Sequence, residues 1–293
     1  MRSFAYARPE SLNEALALLN EYGPAATILA GGTDVVVRLR TGRVLPAIVI
    51  DLKRVPALHA DILETDTCLR VGARTVMADL VADERVRSRF PALAEAAHEV
   101  GSIQIRNRAT LAGNICNASP AADTAPPLLV YGAMVNLVNA TGTRSIPLAH
   151  FFKGPGRTAM ERGELVESID LPFAKEKEKE RQGAAFSRAT RRLGVDLATI
   201  NVACLVKASG QTLFAYGAVA PTPLLVSDDS GKLADANCRE DEKLRILENL
   251  IAHAAPISDV RASHEYREAL LMVMSRRVLD TAIARLHDQE GLL

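Results

Sequence analysis

The sequence predicts an α+β protein, with a small parallel unit at its start and an antiparallel layer with helices at its end. Three observations carry that reading. Residues 26–52 run buried strand, glycine turn, short helix, buried strand, the order of a parallel β–α–β unit. Residues 184–219 contain three apolar stretches that read as antiparallel strands, and two amphipathic helices follow them. Between these lies Ala174-Lys-Glu-Lys-Glu-Lys-Glu-Arg181, a mixed-charge run without hydrophobic period, read as a loop or domain boundary. The expected organisation is one domain over 1–174, in parts of about 1–55 and 56–174, and a second over 182–288.

In order, Ser11 with Glu14 forms a capping box that opens a helix over 12–22, and Gly23-Pro24 stops it. Residues 26–29 are a strand, Val35 to Arg40 a short helix and residues 47–52 a second strand. A strand over 68–73, a helix over 75–82 opened by Thr75 and a longer helix over 87–100 come next. The longer helix carries the stripe Phe90, Leu93, Ala94, Ala97 and Val100. A helix over 125–131, a hairpin around Thr141-Gly142, an irregular stretch over 151–158 and a closing strand over 165–171 complete the first domain. In the second, strands over 184–188, 200–207 and 212–219 precede helices over 240–254 and 264–286.

Bulk composition narrows the function. The chain has 293 residues, 48% apolar and 24% charged, enough for two or three compact units with real cores. Lys plus Arg equals Asp plus Glu at 35 each, and no basic block is interleaved with aromatics, which argues against a general nucleic-acid binder. No apolar run approaches the ~20 residues of a membrane span and the N-terminus lacks a signal-peptide core, so a cytoplasmic protein is expected. Cys68, Cys116, Cys204 and Cys238 form no Cys-x-x-Cys pair, and the six histidines show no ligand spacing. Neither a zinc site, an iron–sulfur site nor a disulfide is predicted.

The chemistry concentrates in residues 104–123. This stretch is built from small residues, hydroxyls and amides with no hydrophobic period, so it is predicted to be a loop. Ala112 and Gly113 let a backbone approach a ligand closely, and Thr110, Asn114, Asn117 and Ser119 supply short donors and acceptors. Asp123 stands where an acidic or capping residue is expected at a helix start. The reading is a loop around a polar, phosphate-bearing ligand; a surface loop of small residues would use the same residue types. The turn Ala30-Gly31-Gly32-Thr33-Asp34 lies at the carboxyl end of a parallel strand, where ligands of such sheets bind and where amides suit a pyrophosphate. A tight turn with an Asp cap explains that motif as well.

Taken together, Ala30–Asp34, Gln104–Asn114 and Asn117–Asp123 resemble the two flavin-binding loops of the medium, FAD-binding subunits of molybdenum hydroxylases, the family of xanthine dehydrogenase and aerobic carbon monoxide dehydrogenase. The resemblance continues through 151–158, 217–223 and 256–267, and so covers nearly the whole chain. It implies a two-part FAD domain of the vanillyl-alcohol-oxidase (PCMH) type followed by an α+β domain. It also implies roles. Ile28, Leu29, Ala30, Gly31, Gly32, Thr33, Asp34 and Val35 would hold the pyrophosphate. Thr110, Leu111, Ala112, Gly113 and Asn114 would form the opposing loop. Asp123 would take a hydroxyl of the sugar-like chain, Leu165 or Val166 would lie by the rings, and Ser187 stands where some relatives carry a lysine near the flavin. No residue is assigned as a general acid or base. Partners implied are a small subunit with two 2Fe–2S clusters and a large molybdopterin subunit, with electrons leaving to NAD, a quinone or oxygen.

Three departures stand out. Two glycines of the usual loop pattern are Ala109 and Ala112 here, so the backbone at both must avoid positive φ. A serine at 187 removes a positive charge unless Arg188 replaces it. The cysteine-rich insertion of hydroxybenzoyl-CoA-reducing relatives is missing. Arg106, Arg108 and Arg157 flank the loops and are candidates for facing a partner or the flavin. Two other readings remain: a stand-alone flavin oxidase or dehydrogenase of the same fold, although neither loop contains a histidine for a covalent link, and a module that kept the fold without its flavin.

Overall fold

The structure, a computed structural model, describes residues 3–173 and 181–288. The charged run over 174–180 that was expected to form a boundary lies outside them.

The chain opens with β1 (Ala5–Ala7), a strand the sequence reading did not include, and continues as predicted with α1 (Leu12–Tyr22), β2 (Ala26–Leu29), α2 (Val35–Arg40) and β3 (Ile48–Asp51). The three strands are parallel in the order β1-β3-β2, with Ala5 and Ala26 both in register with Ile48. The Ser11 hydroxyl accepts the Glu14 N–H at 3.2 Å, while the Glu14 carboxylate accepts the N–H of Glu10 at 2.9 Å, one residue outside the usual box.

The second layer contains β4 (Ile62–Glu64), β5 (Cys68–Gly72), α3 (Met77–Ala82), α4 (Glu84–Arg89), α5 (Pro91–Glu99), α6 (Ile103–Arg106), α7 (Leu111–Cys116), α8 (Ala125–Val130), β6 (Met134–Asn139), β7 (Gly142–Pro147), β8 (Phe152–Gly154), β9 (Arg157–Thr158) and β10 (Leu165–Pro172). Five of these strands form an antiparallel sheet in the order β4-β5-β10-β6-β7, so the last strand occupies its middle.

Here the structure corrects several expectations. Thr75 does not open a helix: it is fully buried and its hydroxyl donates to the Ala60 carbonyl at 2.9 Å, so α3 begins at Met77. The helix expected over 87–100 is two helices. Pro91 has no N–H to give and turns Phe90 out of the helical region, to φ −131° and ψ 51°. The stripe survives the break, with Phe90, Leu93, Ala97 and Val100 all in the core. Residues 104–123 are not wholly irregular, because α6 and α7 lie there, capped by the hydroxyls of Ser102 and Thr110. α7 buries Leu111, Ala112 and Ile115 on one side, but at six residues it is too short for a hydrophobic period to show in the sequence. Residues 151–158 contain a small hairpin, β8 against β9.

The third layer is β11 (Gln182–Ala189), β12 (Ile200–Lys207), β13 (Thr212–Gly217), β14 (Leu224–Asp228), α9 (Glu240–Ile251) and α10 (His264–Asp288), with the four strands antiparallel in sequence order. β4 and β14 went unpredicted; both are short and at most half-buried. The sheet is covered on both faces. Ala184, Ala203, Leu205 and Ala215 join the core of the first two layers, while Val202, Cys204, Phe214 and Tyr216 pack with α10. Two-sided burial is why β12 is buried from Ile200 to Val206 and, Asn201 apart, apolar over that run rather than alternating. A Cβ at Gly183 would stand 1.9 Å from the Ala282 carbonyl oxygen, so sheet and helix meet backbone to backbone.

Candidate functional site

β2 ends at Leu29 at the carboxyl edge of the parallel sheet, and the Ala30–Asp34 turn leads into α2. Gly32 takes φ +82° and Gly31 packs directly on the Arg108 carbonyl. Among the described residues, the backbone N–H groups of Gly31, Gly32, Thr33 and Asp34 have no acceptor. They border a cleft of about 470 Å³ whose opposite wall is the start of α7. There the Thr110 hydroxyl accepts the Gly113 N–H at 3.0 Å, and Asn114 Oδ1 accepts the Thr124 hydroxyl at 2.7 Å. A third wall is apolar, from Leu165 and Val166 of β10 with Met160 and Cys116. Burial pushes the Cys116 thiol up to about 12, which makes it an inert wall rather than a nucleophile. Unpaired amides at one side and an apolar wall at another suit a ligand that is anionic at one point and flat and apolar at another.

Most of the predicted residues meet here. Ile28 and Ala30 to Val35 line the cleft from one side, Thr110, Ala112, Gly113 and Asn114 from the other, and Leu165 and Val166 close it. Leu29 and Leu111 do not line it: Leu111 belongs to the core, and the Leu29 side chain packs beneath Gly32. Neither Ala109 nor Ala112 has positive φ, so both extra methyls are accommodated.

Asp123 and Ser187 lie elsewhere. Asp123 does not cap α8, whose preceding residue is Thr124. It is buried where the second and third layers meet, with Oδ1 accepting from Asn201 at 3.0 Å and Oδ2 from Arg188 at 2.9 Å. Burial pushes its carboxyl up to about 6, against the hydrogen bond from Asn201 and the charge of Arg188, which pull it down. Arg188 also pairs with Glu99 at 2.8 Å, so it is already committed. Ser187 lines a separate, open cleft of about 1280 Å³ between α5, α6 and β11. The two clefts share Gly101 and Val195.

The sequence reading missed Arg38 and Met160. Arg38 donates to Asn117 Oδ1, and Asn117 Nδ2 lies 3.5 Å from Asp34 Oδ1, which links α2 to the end of α7 across the rim. The four-residue spacing of Asp34 and Arg38 was the available signal. Among the described residues, no cluster of three or more His, Cys, Asp or Glu is placed to hold a metal, and no helix is long and apolar enough to cross a membrane.

Comparison with known proteins shows the family. Residues 2–174 match the family described as the FAD binding domain in molybdopterin dehydrogenase, and residues 184–282 match the CO dehydrogenase flavoprotein C-terminal domain. The chain is 32% identical over 284 residues to the xanthine dehydrogenase FAD-binding subunit of Escherichia coli O157:H7, covering 96% of each. It is 32% identical over 287 residues to the carbon monoxide dehydrogenase medium chain of Hydrogenophaga pseudoflava, covering 96% of this chain and 98% of that one. Its fold superposes on a chain of reconstituted CO dehydrogenase from Oligotropha carboxidovorans with a TM-score of 0.88 at 30% identity, covering 97% of this chain and 99% of that one.

Proposed function

The chain belongs to the FAD-binding medium subunits of the molybdenum hydroxylases, and from that premise we propose that it relays electrons from a small 2Fe–2S subunit to an external acceptor. A large molybdopterin subunit would oxidise the substrate, and NAD, a quinone or oxygen would receive the electrons. The flavin-binding unit spans 1–174, with parts of about 1–55 and 56–174, and the second unit spans 182–288.

The observation that carries this reading is the row of unpaired N–H groups from Gly31 to Asp34, set across a cleft from Thr110 and Asn114. Those amides would bind a pyrophosphate, the chemistry that backbone N–H groups in a concave turn provide. Thr110 and Asn114 hold the opposing wall at a fixed distance through their own bonds to Gly113 and Thr124. Leu165 and Val166 would exclude water from the ring system. Asp123, whose two oxygens each accept one hydrogen bond in the structure, would take a hydroxyl of the sugar-like chain where that chain runs past the cleft toward the third layer. Ser187 would supply a neutral hydroxyl at the adjoining cleft. Bound there, FAD supplies the one- and two-electron chemistry, and the protein supplies position and electrostatics.

The test is an absorbance spectrum and mass analysis of whatever co-purifies with the chain from its own source. Flavin and iron–sulfur absorbance with two partner chains, one carrying molybdopterin, is the expected result. A lone yellow chain that oxidises a small substrate unaided overturns the reading.

A further inference from the structure

Among the described residues, Ala118 and Ala218 are the non-glycine positions with positive φ, at +45° and +61°. An alanine held there is strained and persists only where its surroundings impose the conformation. The two are joined through one loop. Ala118 belongs to residues 117–123, which follow the α7 wall of the cleft, and its carbonyl accepts the Gly156 N–H at 3.0 Å. Ala218, in the third layer, donates its N–H to the Pro120 carbonyl of that loop at 2.7 Å. The contact is close on both sides: a Cβ at Gly217 would stand 3.0 Å from the same Pro120 oxygen.

Ala218 is held from behind by Arg267, near the start of α10. This arginine is 1% exposed, the largest of the fully buried side chains. Its Nη1 donates to the carbonyls of Ala218 and Thr199, each at 2.8 Å, and its Nη2 pairs with Asp259 at 2.8 Å. A guanidinium buried at such desolvation cost, and spent on two backbone carbonyls, fixes backbone geometry. We infer that Arg267 is a positioning residue for the flavin site, acting through Ala218 and Pro120 to set the loop that carries Asn117 and Asp123. The C-terminal layer thereby completes a binding site that it lines only at the rim.

The inference rests on the FAD reading above, and the test separates the two. The full-length chain is titrated with FAD, following quenching of flavin fluorescence and the visible circular dichroism of the bound flavin, alongside thermal unfolding without FAD. Arg267→Lys keeps the charge but loses the forked donor, and is expected to weaken FAD binding about tenfold, with an altered dichroism band. Adding Ala218→Gly to Arg267→Lys is expected to restore most of the affinity, because glycine adopts φ +61° without support. Ala218→Val leaves Arg267 in place and disfavours that φ, so it is expected to weaken FAD binding to a similar degree. It decides the matter if the arginine variant does not fold. Wild-type affinity in Ala218→Val, or an Arg267→Lys loss that glycine does not relieve, overturns the inference while leaving the FAD reading intact. A wild-type chain that takes up no FAD sinks the FAD reading instead.

Discussion

Gly31 and Arg108 approach so closely that a Cβ at residue 31 would stand 2.0 Å from the Arg108 carbonyl oxygen. The turn after β2 and the segment leading into α7 are thus in backbone contact at the base of the cleft. Gly31→Ala is expected to push the two apart, at a cost of about 1–3 kcal/mol in stability, and to weaken FAD binding at least tenfold. Calorimetry of the apo chain and a flavin titration read the two effects separately. Affinity equal to the wild type would show that the contact does not set the cleft.

Thr110 caps α7 with its hydroxyl on the Gly113 N–H, at 3.0 Å. Thr110→Ala is expected to cost about 1 kcal/mol and Thr110→Ser much less, since serine keeps the oxygen. The flavin affinities should rank in the same order. An alanine variant that binds FAD better than the serine one would contradict the assignment of this wall.

Asp123 gives the chain a pH signature. Its carboxyl lies at about 6 in the fold against an ordinary 3.8, chiefly through burial. The folded state therefore retains a proton that the unfolded chain releases between those values. The stabilising share of the protonated form is fully present below about pH 3.8 and is lost as pH rises to about 6, on the order of 2–3 kcal/mol. Thermal unfolding across pH 4–7 should show the advantage of the wild type over Asp123→Asn shrinking as pH rises. A difference that grows with pH would mean that Arg188 outweighs burial.

Gly183 tests the third layer on its own. A Cβ there would meet the Ala282 carbonyl oxygen at 1.9 Å and the Leu286 nitrogen at 2.6 Å. Gly183→Ala is expected to lift α10 from β11 and to lower stability by about 1–3 kcal/mol. Hydrogen exchange should speed up along α10 first. Unchanged protection there would argue against the backbone contact.

The ends of the molecule were the more legible in sequence. The parallel unit over 26–51 was readable because glycine turns and buried runs act locally, and α1 because Ser11 and Glu14 are three residues apart. What escaped was decided at long range. Thr75 looks like a cap until the Ala60 carbonyl, 15 residues away, claims its hydroxyl. Asp123 looks like a helix opener until Asn201 and Arg188 reach it from another sheet. Phe90-Pro91 was a local signal that a continuous apolar stripe concealed. The cleft lining was largely legible since much of it comes from two contiguous stretches, whereas Arg38 stands one turn beyond Asp34 and Met160 comes from outside the motifs.

The sheet order β4-β5-β10-β6-β7 has a consequence for how the protein is made. The strand synthesised last among the five is the one that must be inserted between β5 and β6. Until residue 172 has left the ribosome, β5 and β6 expose edges with no neighbour and the apolar wall from Leu165 and Val166 does not exist. A nascent chain therefore displays its glycine turn long before it has anywhere to keep a cofactor, and flavin capture is a late event in its biogenesis.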